Sequence, residues 1–391
     1  MKIAGVVAEY NPFHNGHAYQ IEQMRKAGAT HVAAVMSGAF VQRGEPAILD
    51  KWTRARAAVL GGADLVIELP APFALSSAPE FAFGAVSALA FIGVSMIGFG
   101  SESGDMEALK QELCALEALE KAGAFAPFLK EGMSYPRARQ AAFEQTYHRT
   151  PCFADPNDLL ALSYLRAAKR LGVSFEWLAV KRAGAAHDST TAAGAFASAS
   201  FLRTHLEQPE ILSQYVPETA FSLYQKAINE QRAPIRMANG ERYLLGVLRS
   251  LSRAQWAAIP DVTEGLEHRL WRAVRESGSL SEFYDAVKTK RYPHARIRRI
   301  ACCAALSITQ KERVSSCEAF RVLAFNRRGA EILGHIPKEQ RQRIGVNFAD
   351  LYRRYPQAFQ ASVRAQECAS LCMPQIAPCG IDFTKKVTME E

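Results

Sequence analysis

The sequence predicts an α/β fold: an N-terminal Rossmann-like parallel sheet with a mostly α-helical C-terminal domain. Three observations carry that prediction. Five short apolar runs rich in β-branched residues punctuate roughly the first two hundred residues, and helical stretches separate them. Beyond about residue 200 the strand pattern gives way to apolar residues at three- and four-residue spacing. Strands alternating with helices imply crossover connections and a parallel sheet covered on both faces. At 391 residues the chain is too long for one small core, so two domains are expected, 1–205 and 206–391.

The elements follow in order. Ile3–Ala8, His31–Met36, Asp64–Leu69, Ser95–Gly100 and Phe175–Val180 are each short enough to be a strand buried on both faces. Helices are predicted between them over about 15–27, 51–61, 77–92, 105–122 and 157–171. In the second half, ERYLLGVLRSLSRAQWAAI, LEHRLWRAVRES and LSEFYDAVKTKRY read as amphipathic helices, with a small α/β element near CEAFRVLAFNRRG. Residues 81–100 carry no charge over a length that a bilayer needs, but Gly93 divides them into an apolar helix and a buried strand. No membrane span is expected. The first apolar run is six residues long and ends at Glu9 without a small-residue cleavage site, so it does not read as a secretory signal and a cytoplasmic location is expected.

Composition narrows the classes. With 49% apolar and 22% charged residues, a buried core is readily supplied and wholesale disorder is excluded. The net charge of +8 permits a nucleic acid partner without establishing one. None of the eight cysteines forms a CxxC pair, and Cys368, Cys372 and Cys379 lack a well-spaced fourth ligand, so neither a disulfide framework nor a protein-held metal is expected.

In an open parallel sheet, ligands sit beyond the carboxyl ends of the strands. The segments there are polar and specific: EYNPFHNGH after the first strand, SGAFVQRGEPAILDKWTRA after the second, SESGD after the fourth and KRAGAAHDSTT after the fifth. Pro12 stops the first strand, and Asn15-Gly16 suits a tight entry into the first helix. His14 and His17 then lie at that helix's N-terminus, where unpaired N–H groups and the dipole favour an anion. Their three-residue spacing puts two imidazoles on one face, able to donate to neighbouring phosphate oxygens. Gly16 lets a polyphosphate approach the backbone. A metal site from this pair alone would need further ligands.

HNGH between a first strand and a first helix resembles the HxGH motif of the nucleotidyltransferase superfamily. ASASFLR, residues 197–203, partly matches the superfamily's hydroxyl-rich helix start, with Ser198 and Ser200 at the cap and Arg203 to neutralise phosphate. A plain helix cap explains the same residues. The chain resembles one family more closely. GVVAEYNPFHNGH, VMSGAFVQRGEPAILDKWTRA, DLVIELP, FGSE, SYPRAR, PNDLLALSY, VKRAGAAHD and TKRYPHARIRR occur in the order of the bacterial tRNA(Met) cytidine acetate ligases, over about three quarters of the chain.

That resemblance implies a two-step reaction. Acetate and ATP give acetyl-adenylate and pyrophosphate; the acetyl group then passes to N4 of the wobble cytidine of elongator tRNA(Met), forming N4-acetylcytidine. The catalytic pair is then His14 and His17. The ATP site comprises Val7, Ala8, Glu9, Tyr10, Asn11, Pro12, Phe13, His14, Asn15, Gly16, His17, Ala18, Tyr19 and Gln20, with Gly100, Asn157, Arg182, Ser198, Ser200 and Arg203. Gly100 would lie beside the adenosine, where a side chain collides. Asn157 is equally read as the cap of the 157–171 helix. ATP enters as substrate, with Mg²⁺ expected on its phosphates, and no tightly bound cofactor, membrane or obligatory protein partner is implied.

For tRNA, KTKRYPHARIRR holds Lys288, Lys290, Arg291, Arg296, Arg298 and Arg299 with an interleaved Tyr292 and no acid. Arg43 and Lys51 are further candidates for phosphate or RNA contact, and Asp50 for a helix cap. His187 and Asp188 sit on the same rim. A solvated basic helix face is the alternative for the 288–299 stretch. Two other functions share these features: a small-molecule nucleotidyltransferase, whose product keeps the nucleotide, and a non-catalytic RNA-binding protein, which would bind RNA unchanged after His17→Ala.

Overall fold

The computed structural model of the chain describes residues 1–182, 194–263, 265–315 and 318–390. Its strands are β1 (Ile3–Ala8), β2 (His31–Ser37), β3 (Phe40–Val41), β4 (Glu45–Pro46), β5 (Leu65–Leu69), β6 (Met96–Ser101), β7 (Glu176–Lys181), β8 (Phe320–Phe325), β9 (Ile344–Gly345) and β10 (Thr388–Met389). The main sheet runs β10-β8-β5-β2-β1-β6-β7, with β9 paired to β8, while β3 and β4 form a separate antiparallel hairpin. From β5 to β7 all pairings are parallel, and Ile3 to Ala8 of β1 run opposite His31 to Met36 of β2. β8 is antiparallel to β5.

Each predicted strand and helix of the first two hundred residues is present, within one or two residues at its ends. The reason is visible in the core. Ile3, Ala33, Val35, Leu65 and Ile97 face one apolar layer, beneath helices Ala78–Phe91 and Pro156–Leu171. Ala4, Val6, Val32, Ala34 and Met96 face another, beneath helices Asn15–Lys26, Lys51–Leu60 and Glu218–Asn229. Period-two alternation therefore delivers apolar residues to both sides, which demands the continuous apolar strands seen in the sequence. Gly5 lets helix Ala78–Phe91 pack close on β1: a Cβ there would stand 2.7 Å from Leu89 Cδ2, which would have to shift.

The uncharged stretch 81–100 resolves as the end of helix Ala78–Phe91, a left-handed turn at Gly93 (φ 76°) and β6. Among the described residues no helix is long and apolar enough to cross a membrane.

The sheet is not confined to residues 1–205. Phe320–Phe325 pairs with β5, so the expected small α/β element is an extension of the same sheet. The helical half is joined to the rest by a third core, in which Phe40, Ala71 and Leu75 pack with Leu244, Trp256, Leu270, Phe283 and Ile300. Hydrophobic closure between the hairpin loop and these helices is what the strand-helix pattern alone did not reveal.

Candidate active site

β2 and β6 flank β1 on opposite sides, and the chain order reverses there: β1 to β2 to β5 runs one way, β6 to β7 the other. The carboxyl ends of such neighbours part and leave a crevice. A cavity of about 570 Å³ occupies it, lined by residues following β1, by Gly100 at the end of β6 and by segments from 156–164, 180–182 and 196–203.

At its centre lies the start of helix Asn15–Lys26. His14 is the N-cap, its Nδ1 accepting from Gly16 N at 3.1 Å, while His17 Nδ1 accepts from His14 N at 3.2 Å. This is a reciprocal capping box built from imidazoles. It has a chemical consequence: an Nδ1 that accepts a backbone N–H carries no proton, so each neutral ring holds its hydrogen on Nε2. Burial, with Arg182 and Arg203 adding to it, pushes His14 down to about 3. Burial, then His14 and Arg182, holds His17 well below the usual histidine value. Both rings are therefore neutral donors at physiological pH, set at a helix N-terminus.

Tyr10 turns the chain out of β1 with φ 45°, and the bond before Pro12 is cis. A non-glycine residue in the left-handed region is uncommon and persists only where its surroundings hold it. Here the surroundings are specific. Arg54, fully buried, donates to the carbonyls of Glu9 (2.6 Å), Ser37 and Leu49 (both 3.0 Å) and Gly38. Asn11 Oδ1 accepts from Ile48 N at 2.8 Å, and Arg203 donates to Asn11 O at 2.9 Å and to Ser200 Oγ at 2.7 Å. Ser198 caps helix Ala199–Thr204 through Phe201 N. The hydroxyl turn therefore caps its helix, and Arg203 of the same helix lines the cavity.

Most expected site residues meet here. Val7, Ala8, Glu9, Tyr10, Asn11, His14, Gly16, His17, Tyr19 and Gln20 line the cavity, as do Gly100, Asn157, Arg182, Ser198, Ser200, Arg203, Arg43 and Arg299. A Cβ on Gly100 would meet nothing nearer than Arg182 Cγ at 3.8 Å, so the space before it is open. Four others of the expected ATP site do not reach the wall. Pro12 and Phe13 are buried, Tyr224 donating to Phe13 O at 3.0 Å; Asn15 binds the carbonyls of Ala195 and Gln214; Ala18 packs into the core.

Three readings need correction. Lys51 cannot touch RNA: it is fully buried and paired with Glu68 (2.9 Å) and Asp382 (2.8 Å). Asn157 is not the cap of its helix, a position held by Asp155; its amide donates to Glu102 at 2.5 Å. Arg298 and Arg299 are partly committed inward, Arg298 to Glu45 at 2.6 Å and Arg299 to Gln42 O at 3.2 Å. Lys288, Lys290 and Arg291 are exposed, and Arg296 stacks on Tyr292 at 5.0 Å. Asp50 is the cap expected of it. His187 and Asp188 lie outside the described residues. Cys368 and Cys372 are buried and Cys379 exposed. Sequence reading missed Arg54, whose role depends on four carbonyls brought together only by the fold, and Lys181, Phe81 and Tyr164 on the cavity wall.

The family model described as HIGH Nucleotidyl Transferase matches residues 1–380. The tRNA(Met) cytidine acetate ligase of Caldicellulosiruptor saccharolyticus is 37% identical over 87% of this chain and 86% of its own. That of Thermoanaerobacter sp. is 34% identical over 98% of each. Among solved structures, Thermotoga maritima TmcAL bound with alpha-thio ATP superimposes with a TM-score of 0.89 at 32% identity, over 100% of this chain and 99% of that one. Its apo form gives 0.90 at 33% identity, with the same coverage.

Proposed function

The chain belongs to the tRNA(Met) cytidine acetate ligase family of HIGH-type nucleotidyltransferases, and from that premise we propose that it activates acetate with ATP and acetylates N4 of the wobble cytidine of elongator tRNA(Met). The observation that carries the first step is the pair of neutral, Nε2-protonated imidazoles at a helix N-terminus in the crevice between β1 and β6. In this reading ATP takes the cavity, with its phosphates at the end formed by His14, His17 and Arg203 and its adenosine beside Gly100.

Acetate is ionised at neutral pH, so its attack on the α-phosphate needs no general base. It needs alignment and compensation of charge on the phosphoryl oxygens. His14 and His17 donate their Nε2–H groups there, and Arg182 and Arg203 neutralise the departing pyrophosphate. Among the described residues no group of three or more His, Cys, Asp or Glu could hold a metal ion. A Mg²⁺ arriving with ATP would add charge compensation on the phosphates beside Arg182 and Arg203. The mixed anhydride matters for the second step, because the cytosine amine has its lone pair delocalised into the ring. In the same proposal residues 1–205 supply the nucleotide site, and Lys288, Lys290 and Arg291, with Arg43 and Arg296, meet tRNA phosphates in the cytoplasm.

Acetate-dependent exchange of labelled pyrophosphate into ATP, without tRNA, tests the reading. Exchange that requires acetate and falls at least about a hundredfold in His17→Ala is the expected result. Exchange with no need for acetate, or a product that retains AMP, would mark a nucleotidyltransferase acting on another acceptor.

A further inference from the structure

The cavity is strongly basic along its rim, with Arg43, Lys181, Arg182, Arg203 and Arg299, yet one acid lines it among the described residues, Glu9. A carboxylate is a poor neighbour for ATP phosphates and acetate, so its placement asks for a donor. Alternate residues of a strand face opposite sides, and Val7 packs on the layer beneath helices Ala78–Phe91 and Pro156–Leu171. Glu9, just beyond the end of β1, lies within reach of Tyr164 in that same layer. There its charge adds to the burial that raises the Tyr164 hydroxyl. One carboxylate oxygen is held by Gln42 N at 2.8 Å; the other has no partner among the described residues.

Apart from the Tyr164 hydroxyl, the rest of this side is apolar: Ala78, Phe81, Leu160 and the Tyr164 ring, with Tyr164 and Phe99 rings 6.3 Å apart. It is thus a lobe with largely apolar walls, two of them aromatic, and a single oriented carboxylate. An unpaired cytosine has matching chemistry, with two apolar faces and an N4 amine that donates. We propose that this lobe receives the extruded wobble cytosine, its N4–H bound by Glu9, and that Glu9 takes the proton released in acetyl transfer. N4 bonds to the acetyl carbon, the anhydride C–O bond to phosphate breaks, AMP leaves as its anion and one N4 proton passes to Glu9. This inference rests on the proposed function, and it supplies a substrate-binding residue for the second step.

The test uses the full chain with ATP, acetate and unmodified tRNA(Met) transcripts carrying either C or U at the wobble position. Uracil presents O4, an acceptor, to the Glu9 carboxylate. The wild type should bind the C transcript at least about tenfold more tightly than the U transcript, and Glu9→Gln should bring that ratio below about threefold. In Glu9→Gln, acetyl transfer should fall about a hundredfold further than pyrophosphate exchange falls. Leu160→Trp, which fills the lobe without removing the acceptor, should also depress transfer more than exchange, and serves if Glu9→Gln does not fold. An unchanged C-to-U ratio, or transfer and exchange falling in equal proportion, overturns the assignment and leaves Glu9 as a nucleotide contact. A wild type that lacks acetate-dependent exchange instead removes the functional reading on which the assignment stands.

Discussion

The imidazoles of His14 and His17 stack with ring centroids 3.8 Å apart, and each spends Nδ1 on a backbone N–H of the same turn. Two cationic rings would not hold that distance. The pair is built to be uncharged. In the unfolded chain both would gain a proton near pH 6.5, whereas in the folded chain they resist it. The unfolded state therefore binds more protons below that pH, and stability falls as pH drops through 6.5 and on toward 3. Thermal unfolding of the ligand-free protein should show this acid loss, and the double variant His14→Gln, His17→Gln should flatten it. Both residues keep a minor share of their surface exposed, so solvent screening moderates the effect.

Arg54 gathers the carbonyls of Glu9, Ser37, Gly38 and Leu49 around one buried guanidinium. Burial pushes its pKa down to about 10, which still leaves it charged at neutral pH. Arg54→Leu strands those acceptors and should destabilise the protein by about 3–5 kcal/mol in urea unfolding. Arg54→Lys should recover little, because an ammonium cannot reproduce the planar fork.

Lys51 and Lys290 should separate cleanly. Lys51→Met leaves Glu68 and Asp382 with Arg321 as their one remaining cation in a buried cluster among the described residues, and should lower stability by about 3–5 kcal/mol. Lys290→Ala should leave unfolding within about 0.5 kcal/mol of wild type while weakening tRNA binding and reducing its salt slope by about one. Comparable losses of tRNA affinity in two stable variants would return Lys51 to the RNA surface.

Gly44 sits at φ 75°, and a Cβ there would lie 2.6 Å from the Arg298–Arg299 backbone. Gly44→Ala should therefore part the β3–β4 hairpin from helix His294–Ala305, lowering stability by about 1–3 kcal/mol. The contact is a route by which the basic helix reaches Gln42 and, through it, Glu9.

Gly100 offers the opposite case. Its Cβ position is open, so Gly100→Ala should unfold within about 0.5 kcal/mol of wild type. If adenosine lies against it, ATP affinity should nonetheless fall about tenfold by calorimetry; unchanged affinity would move the adenosine elsewhere in the cavity.

The sheet and its crossover helices were legible because a strand buried on both faces must be continuously apolar, as in Ile3–Ala8 and Leu65–Leu69. The His14–His17 pair was legible because its partners are local. The partners of Lys51 are not: Glu68 is 17 residues away along the chain and Asp382 lies near its far end. A basic residue in a polar loop looks the same in sequence whether it faces solvent or a buried carboxylate. Arg54 failed for the same reason, since backbone carbonyls leave no mark in a sequence.

The pairing of β8 with β5 has a consequence in the order of synthesis. When residue 205 leaves the ribosome, β5 is a bare apolar edge, and Lys51 and Glu68 lack Arg321 and Asp382. An open edge of this kind is a template for pairing with another chain. A chain cut at residue 205 would keep that edge open: its sheet becomes whole only after about 120 further residues have been made.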